Sequence, residues 1–101
     1  MVKKPEISIV MNCHNGEKYL SEAIKSVFNQ TYKNWELIFW DNRSKDNSKE
    51  ILKSFKNNKF KYFVSKKHTS LYAARNLAIS KAKGKFISFI DSDDTWESDK
   101  L

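Results

Sequence analysis

Strand-like and helix-like segments alternate without interruption from Glu6 to Ile90, and few architectures accept such an order. Glu6 to Met11 (EISIVM) is a short β-branched run that stops at the polar cluster Asn12, Cys13, His14, Asn15, Gly16. Leu20, Ala23, Ile24, Val27 and Phe28 then recur at the spacing of an amphipathic helix, leaving Glu17, Lys18, Glu22 and Lys25 to water. Trp35 to Trp40 (WELIFW) predicts a second strand, closed by Asp41, Asn42, Arg43 and Ser44. Asn47 and Glu50 have the spacing of a capping box, and Ile51, Leu52 and Phe55 give the following helix its apolar face. Phe60 to Val64 (FKYFV) predicts the third strand, and Leu71, Ala74, Leu77, Ala78 and Ala82 line a third helix over 70–83, with Gly84 placed as its left-handed cap. Phe86 to Ile90 predicts the fourth strand. The resulting β-α-β-α-β-α-β order, with helices of roughly 11 to 14 residues, implies an α/β fold whose parallel sheet carries helices on both faces.

A chain of 101 residues that is 40% hydrophobic makes one domain, 1–101, and a domain of this size buries about 60–70% of its unfolded surface. The net charge of +7 comes mostly from scattered lysine, Arg43 and Arg75 being the arginines. A nucleic-acid reader groups arginine and aromatics on one element, so no nucleic-acid partner is expected. A basic face still attracts anionic substrates or a membrane surface. Cys13 is the one cysteine, which leaves no disulfide within the chain and no zinc spacing, and implies a reducing compartment. Met1 to Glu6 lacks the apolar stretch of a signal peptide, and no run approaches the about 20 residues that span a bilayer. A soluble, cytoplasmic protein is expected.

The chemistry gathers where the strands end. In an open parallel sheet the strand carboxyl ends share one rim, and ligands bind in its crevice. Here that rim receives Asn12 to Asn15, Asp41 and Asn42, Ser65 to Lys67, and Asp91, Ser92, Asp93 and Asp94. The acids of the last group stay ionised together only if solvated, hydrogen-bonded or neutralised by a cation. Oxygen ligands of this kind suit Mg²⁺ or Mn²⁺, and Mg²⁺ is commonly held by one or two carboxylates plus substrate phosphates. Capping of a turn before Thr95 accounts for one acid, not three. With Gly16 and Gly84 as the glycines, a dinucleotide fingerprint and a P-loop are excluded, so a bound diphosphate must be met by metal at Asp91 and Asp93. Cys13 and His14, neighbours in an extended segment, point to opposite faces and do not make a nucleophile and base pair; His14 and His68 read as loop residues.

These residues resemble the N-terminal, nucleotide-binding portion of family 2 glycosyltransferases of the GT-A fold. The resemblance is carried by Ile7 to Met11 with Asn15, by Asn29-Gln30-Thr31-Tyr32 followed by Trp35-Glu36-Leu37, by Asp41-Asn42-Arg43-Ser44-Lys45-Asp46, by Ala74-Arg75-Asn76 with Ala82-Lys83-Gly84, and by Phe89-Ile90-Asp91-Ser92-Asp93-Asp94. It implies a Rossmann-like sheet cut after its DxD strand. It implies that Asp91 and Asp93 are the acids of the DxD motif and hold the metal, Asp91 near the ribose and diphosphate, with Ser92 between them. By the same resemblance Asp41 contacts the nucleobase, Asn42 stands where many members carry a second acid, and the backbone around Asn12, Cys13, His14 and Asn15 lies beside the base. Arg75 resembles the arginine of the helix before the DxD strand; it meets a phosphate, orients Asp91 or simply pairs with an acid.

The implied reaction is metal-dependent, inverting transfer of a sugar from a nucleotide-diphosphate donor to an acceptor sugar or glycolipid, in cell-surface polysaccharide synthesis. The general base is expected beyond Leu101, so this chain reads as a donor-binding fragment with little turnover of its own. The full-length enzyme is expected to associate peripherally with a membrane, and the cut sheet edge to self-associate. Two rivals stay open at this level. Asp91-Ser92-Asp93-Asp94-Thr95 also looks like the first motif of haloacid-dehalogenase-type phosphatases, with Asp91 as nucleophile and Asp93 as acid/base, although Asp94 stands in place of its glycine. A non-enzymatic module, receiver-like or basic, is the other.

Overall fold

A computed structural model describes residues 4–101. Its elements follow the alternation: β1 (Ile7–Cys13), α1 (Glu17–Phe28), β2 (Trp35–Asp41), α2 (Ser48–Ser54), β3 (Phe60–Val64), α3 (Leu71–Ile79) and β4 (Phe86–Asp91). The strands form one sheet in the order β3-β2-β1-β4, and every pairing is parallel. The chain winds outward from β1 to β3 and then returns through α3 to lay β4 against the other side of β1. The winding reverses between β1 and β4, which is where an open sheet of this type leaves a crevice.

Side-chain alternation divides β2 between two layers, and all seven of its residues are buried. Leu37 and Phe39 join Ile9, Met11, Leu20, Ile24, Val27 and Leu52 under α1 and α2, while Ile38 and Trp40 join Val10, Ala74 and Ala78 under α3. Helices therefore cover both faces, as the sequence implies. Beyond the acids of β4 the chain folds back over the α1 side, where Trp96 and Leu101 pack on the larger cluster. Buried Gln30 fastens this return: its Nε2 donates to the carbonyls of Ser26 and Glu97 at 3.2 and 2.6 Å, and its Oε1 accepts from Leu101 N at 3.1 Å.

Three expectations need correction. The second and third helices are shorter than read, with 7 and 9 residues against 12 for α1. Lys56 turns left-handed (φ 40°) just after α2, and residues 80–82 close α3 in turns back to Asn76, Ala78 and Ile79. Gly84 is no left-handed cap, since no glycine among the described residues has positive φ. Its role is close approach: a Cβ there would lie 2.6 Å from Ser8 N and 2.8 Å from Ile7 C, and its N–H donates to Ser8 Oγ at 2.7 Å. The Ser8 hydroxyl in turn donates to the buried carboxylate of Glu36 at 2.6 Å, which also accepts from Lys83 N at 2.7 Å.

The capping box at Asn47 does not form, and the side-chain bonds at this helix start come from the preceding acid instead. Asp46 Oδ1 accepts from Ser48 N and Ser48 Oγ at 3.0 and 2.6 Å, and Asp46 Oδ2 accepts from Glu17 N at 3.0 Å. One carboxylate thus serves the first turns of α1 and α2. Burial opposes its charge, but the bonds from Ser48 and Glu17 outweigh that and hold the carboxyl below its ordinary value. A depressed carboxyl contributes stability above the ordinary carboxylate range and loses it as pH falls through its folded value. Asp46→Ala is expected to cost about 1 kcal/mol at neutral pH, with the difference from the native chain vanishing on acidification. Denaturant unfolding of both chains across that range checks it.

Candidate functional site

Register fixes what meets at the rim. Asn12 in the central strand pairs with Trp40 on one side and Asp91 on the other, and Cys13 pairs with Asp41. Asp41 and Asp91 therefore end strands on either side of β1, two strand spacings or about 10 Å apart. They lean to opposite faces: Asp91 toward α3, Asp41 toward α1 and α2.

On the α3 side, Phe89 and Asp91 share a strand face, and Arg75 covers both. Its guanidinium carbon sits 5.5 Å from the Phe89 ring centroid and its Nη2 is 3.4 Å from Asp91 Oδ1. With side chains 41% and 62% exposed, this pair orients more than it stabilises. The acids then divide their tasks. Asp94 Oδ1 accepts from Thr95 N at 2.9 Å and Asp94 N donates to Asp91 O at 3.0 Å, which closes the turn. Asp93 is exposed and has no hydrogen-bond or ion-pair partner among the described residues. Ser92 is met by Gly16, where a Cβ would lie 2.9 Å from Ser92 Oγ and 3.0 Å from Cys13 Sγ, so glycine lets the start of α1 close on the acid turn.

The β1–α1 and β2–α2 loops are laced together. Asn15, left-handed at φ 54°, accepts from Lys45 N through Oδ1 at 2.6 Å and donates its own N–H to Ser44 Oγ at 2.8 Å. His14 Nδ1 lies 2.7 Å from the Asn42 carbonyl, which can only accept, so this nitrogen carries a proton, and Nε2 lies 3.3 Å from Asn15 Nδ2. The Asn42 side chain is consumed by the loop before α3: Oδ1 accepts from Thr69 N at 3.0 Å and Nδ2 donates to Thr69 O at 2.7 Å. That clamp carries His68 against His14, with ring centroids 4.4 Å apart. His68 and Thr69 gave no sequence signal, because their part in the site comes entirely from a contact with a loop 27 residues away.

Two cavities open at the reversal point. One of about 540 Å³ is lined by Asn12, His14, Asn15, Gly16, Lys18, Asp91, Ser92 and Asp93. Another, of about 240 Å³, is lined by Asn12, Cys13, His14, Asn42, His68 and Thr69. Asn12 belongs to both, and its Oδ1 is a buried acceptor without a partner. Cys13 itself is buried in the α1-side cluster.

Asp41 stands apart. It lines a different cavity, with Arg43, Ser44 and Tyr62, and is 3% exposed. Its Oδ1 accepts from Ser44 N at 2.8 Å and its Oδ2 from the Tyr62 hydroxyl at 2.7 Å. Burial and this bond push the Tyr62 phenol well above its ordinary value, so it stays a donor. The carboxylate organises the turn that includes left-handed Arg43 (φ 61°). Nothing in the strand FKYFV distinguishes the tyrosine whose phenol bonds to Asp41 of the neighbouring strand.

Whether the residues fit a divalent metal depends on the donor set. Among the described residues no group of three or more His, Cys, Asp or Glu side chains converges. Asp91 and Asp93 open into a cavity with a spare buried oxygen on Asn12. Such a set suits Mg²⁺ or Mn²⁺ completed by phosphate oxygens and water, not an all-protein cage.

The chain is similar to known proteins over nearly its whole length. The family model "Glycosyl transferase family 2" matches residues 8–101. An Escherichia coli UDP-Glc:alpha-D-GlcNAc-diphosphoundecaprenol beta-1,3-glucosyltransferase, WfgD, is 40% identical over 95 residues, covering 94% of this chain and 38% of the relative. A putative teichuronic acid biosynthesis glycosyltransferase of Bacillus subtilis, TuaG, is 31% identical over 97% of this chain and 40% of its own length. The chain thus spans well under half of these relatives. Among solved structures, S. aureus TarS in complex with UDP superimposes with a TM-score of 0.86 at 27% identity, over 93% of this chain and 29% of TarS. A mannosyltransferase from Pyrobaculum calidifontis in complex with GDP-Man and Mn²⁺ shares the fold at 17% identity and a TM-score of 0.83. With its doubly wound parallel sheet and with nearly its whole length matched, the chain belongs to glycosyl transferase family 2.

Proposed function

We propose that residues 4–101 form the donor side of an inverting glycosyltransferase, which binds a nucleotide-diphosphate sugar across the rim between β1 and β4. The observation that carries this reading is the shared cavity in which Asp91 and Asp93 face Asn12 and His14 at the point where the winding reverses. Asp91 and Asp93 would hold Mg²⁺ or Mn²⁺ against the diphosphate, where a divalent ion supplies Lewis-acid stabilisation of the leaving group. Arg75 keeps Asp91 facing that cavity. The base occupies the smaller cavity beside His14, and Asp41 supports the turn beneath it instead of touching the base. The match of the whole acid turn within a glycosyltransferase pattern favours this reading over the phosphatase and the basic-module alternatives.

TarS is described in complex with UDP and UDP-GlcNAc, which makes a uridine diphosphate the first donor class to test. The name of WfgD specifies a lipid-linked acceptor, so a glycolipid acceptor at a membrane periphery is the matching proposal here. No described helix is long and apolar enough to cross a membrane. The acceptor contacts and the general base fall to segments that the relatives have beyond the matched part, and the apolar β4 surface at Phe86, Ile87 and Phe89 is the edge through which such segments, or a second copy, would join.

Calorimetric titration of UDP with Mn²⁺, with EDTA, and with Asp93→Ala tests the proposal. Removal of the metal and loss of Asp93 are each expected to weaken binding by about tenfold or more. Equal affinity in all three titrations, or no UDP binding at all, would overturn it.

A further inference from the structure

The positive charge, scattered along the sequence, collects on one side of the fold. Residues 43–70 hold nine of the 19 lysines and arginines but two of the 12 acids, so this stretch accounts for the whole net charge of +7 and the remainder of the chain is neutral. It comprises α2, β3 and the loops around them, and β3 is an edge of the sheet. Lys49, Lys53 and Lys56 succeed one another at helical spacing, all exposed, and the ammonium groups of the first two stand 5.8 and 5.0 Å from the ring of Tyr62 on β3. Lys59 and Lys61 lie at the start of β3. Arg43 and Lys45 after β2, and Lys66 and Lys67 after β3, carry the charge up to the rim.

Little on this side neutralises it. The one ion pair among the described residues is Arg75 with Asp91, which lies outside the stretch. Of the two acids, Asp46 spends its carboxylate on the helix starts, which leaves Glu50. Burial, then the charge of Lys33, pull the Lys59 ammonium below its ordinary value. Self-repulsion of this kind costs stability in the free chain, and an anionic partner relieves it. Blunting of an edge strand accounts for the lysines of β3. It does not account for the row on α2, and the opposite edge, β4, exposes Phe86, Ile87 and Phe89 instead.

The residue types select the anion. Eight of the nine cations are lysine, point charges on flexible stems that suit a diffuse negative surface better than a fixed, bidentate phosphate. Single-stranded RNA asks for open aromatic faces on which bases stack. Here the rings of β3 are covered, Tyr62 by Lys49 and Lys53, and Phe63 by Lys81 at 5.5 Å. An anionic bilayer needs neither a set geometry nor a stacking platform, and it attracts each nearby lysine separately.

We propose that the α2–β3 side is a membrane-docking surface that rests on the headgroups of anionic phospholipids. The orientation this gives depends on the donor-site reading. β3 lies two strand spacings, about 10 Å, from β1. Docking along this edge therefore holds the crevice between β1 and β4 near the bilayer, within reach of a lipid-linked acceptor, and leaves the β4 edge free.

Sedimentation with vesicles of phosphatidylcholine and phosphatidylserine tests the surface. The native chain is compared with the patch variant Lys53→Gln, Lys56→Gln, Lys61→Gln, Lys66→Gln and with the control Lys25→Gln, Lys83→Gln, Lys85→Gln, Lys100→Gln. Both variants have the same net charge and differ only in where it was removed. The native chain is expected to bind these vesicles and not pure phosphatidylcholine, with release as salt rises. The patch variant should bind about tenfold more weakly or worse, and the control within about threefold of native. Equal losses in the two variants, equal binding to pure phosphatidylcholine, or no binding at low salt would overturn the proposal. So would tighter binding to polyuridylate or polyglutamate than to the vesicles at the same salt. If the patch variant fails to fold by circular dichroism, Lys53→Gln with Lys56→Gln, set against Lys83→Gln with Lys85→Gln, decides the same question. No nucleotide or metal enters these assays, so failure here and failure of the donor-site reading are separate results.

Discussion

Gly84→Ala is expected to destabilise the chain by about 3 kcal/mol or more, the sum of overpacking and of broken buried hydrogen bonds. A methyl group at this position lies 2.6 Å from Ser8 N, 2.7 Å from Ser8 Oγ and 2.8 Å from Ile7 C. Two of the three atoms are backbone of the central strand and cannot swing aside. Relief must come from residue 84 moving outward, which draws Gly84 N off Ser8 Oγ and Lys83 N off Glu36 Oε2. The buried Glu36 carboxylate then keeps only the Ser8 hydroxyl, and a buried acid short of donors is expensive. The shift also pulls on the start of β4, where Phe86 N donates to Glu6 O at 2.9 Å and Phe86 pairs with Ile7. In a domain of this size the loss corresponds to a fall in melting temperature of roughly 10–20 °C. Thermal unfolding by circular dichroism checks it, and an unchanged midpoint would mean that the close approach at Ser8 is not as drawn. Ser8→Ala should not rescue the variant, because the closest clash is with a backbone nitrogen.

The same corner marks how far sequence carries. The alternation of apolar runs gave every element in order, because a period of two against a period near 3.6 separates strands from helices when the runs are short and bounded by polar clusters. It also brought Asn12 to Asn15, Asp91 and Asp93 to one rim, since a parallel sheet leaves no other place for strand ends. What pattern alone could not supply was contact. Gly84 after a helix has the form of a cap, and only the packing of β1 behind it reveals a position where a side chain does not fit. Asn47 with Glu50 has capping-box spacing, yet the amide held by a side chain at this helix start is that of Ser48, by Asp46, which the Glu17 amide of the α1 start also anchors. Asp41 followed an apolar strand just as Asp91 did. The difference between them, a phenol and an amide spending both oxygens of Asp41, depends on Tyr62 of a neighbouring strand and on the fold of the Arg43 turn.

Asn42→Asp is the substitution that tests this loop architecture most directly. It changes one atom group, NH₂ to O⁻, and matches the second acid that the family resemblance associates with this position. In this chain it should be worse than a truncation. Asn42 answers Thr69 with both halves of its amide, accepting from the N–H and donating to the carbonyl, and it is 6% exposed. An aspartate keeps the first bond and strengthens it. It turns the second, 2.7 Å long, into a charged oxygen facing a carbonyl oxygen. Either the carboxyl protonates at an energetic cost or the loop before α3 lets go. The net loss is expected to be about 2–3 kcal/mol, and Asn42→Ala, which removes both bonds without burying a charge, should lose less. Local opening should appear first at Thr69, whose amide exchange rises by about 30-fold if release of this loop costs roughly 2 kcal/mol less. His14 is the reporter on the site side: its Nδ1 proton bonds to the Asn42 carbonyl, so a loop that detaches at Thr69 leaves the imidazole in place but strips His68 from its edge. Nuclear magnetic resonance of the two imidazoles distinguishes that outcome from general unfolding, in which both lose their native shifts together. Equal stability of the native and Asn42→Asp chains would mean that the Thr69 carbonyl is not held by this amide, and that the loop before α3 is fixed beside His14 by something other than Asn42.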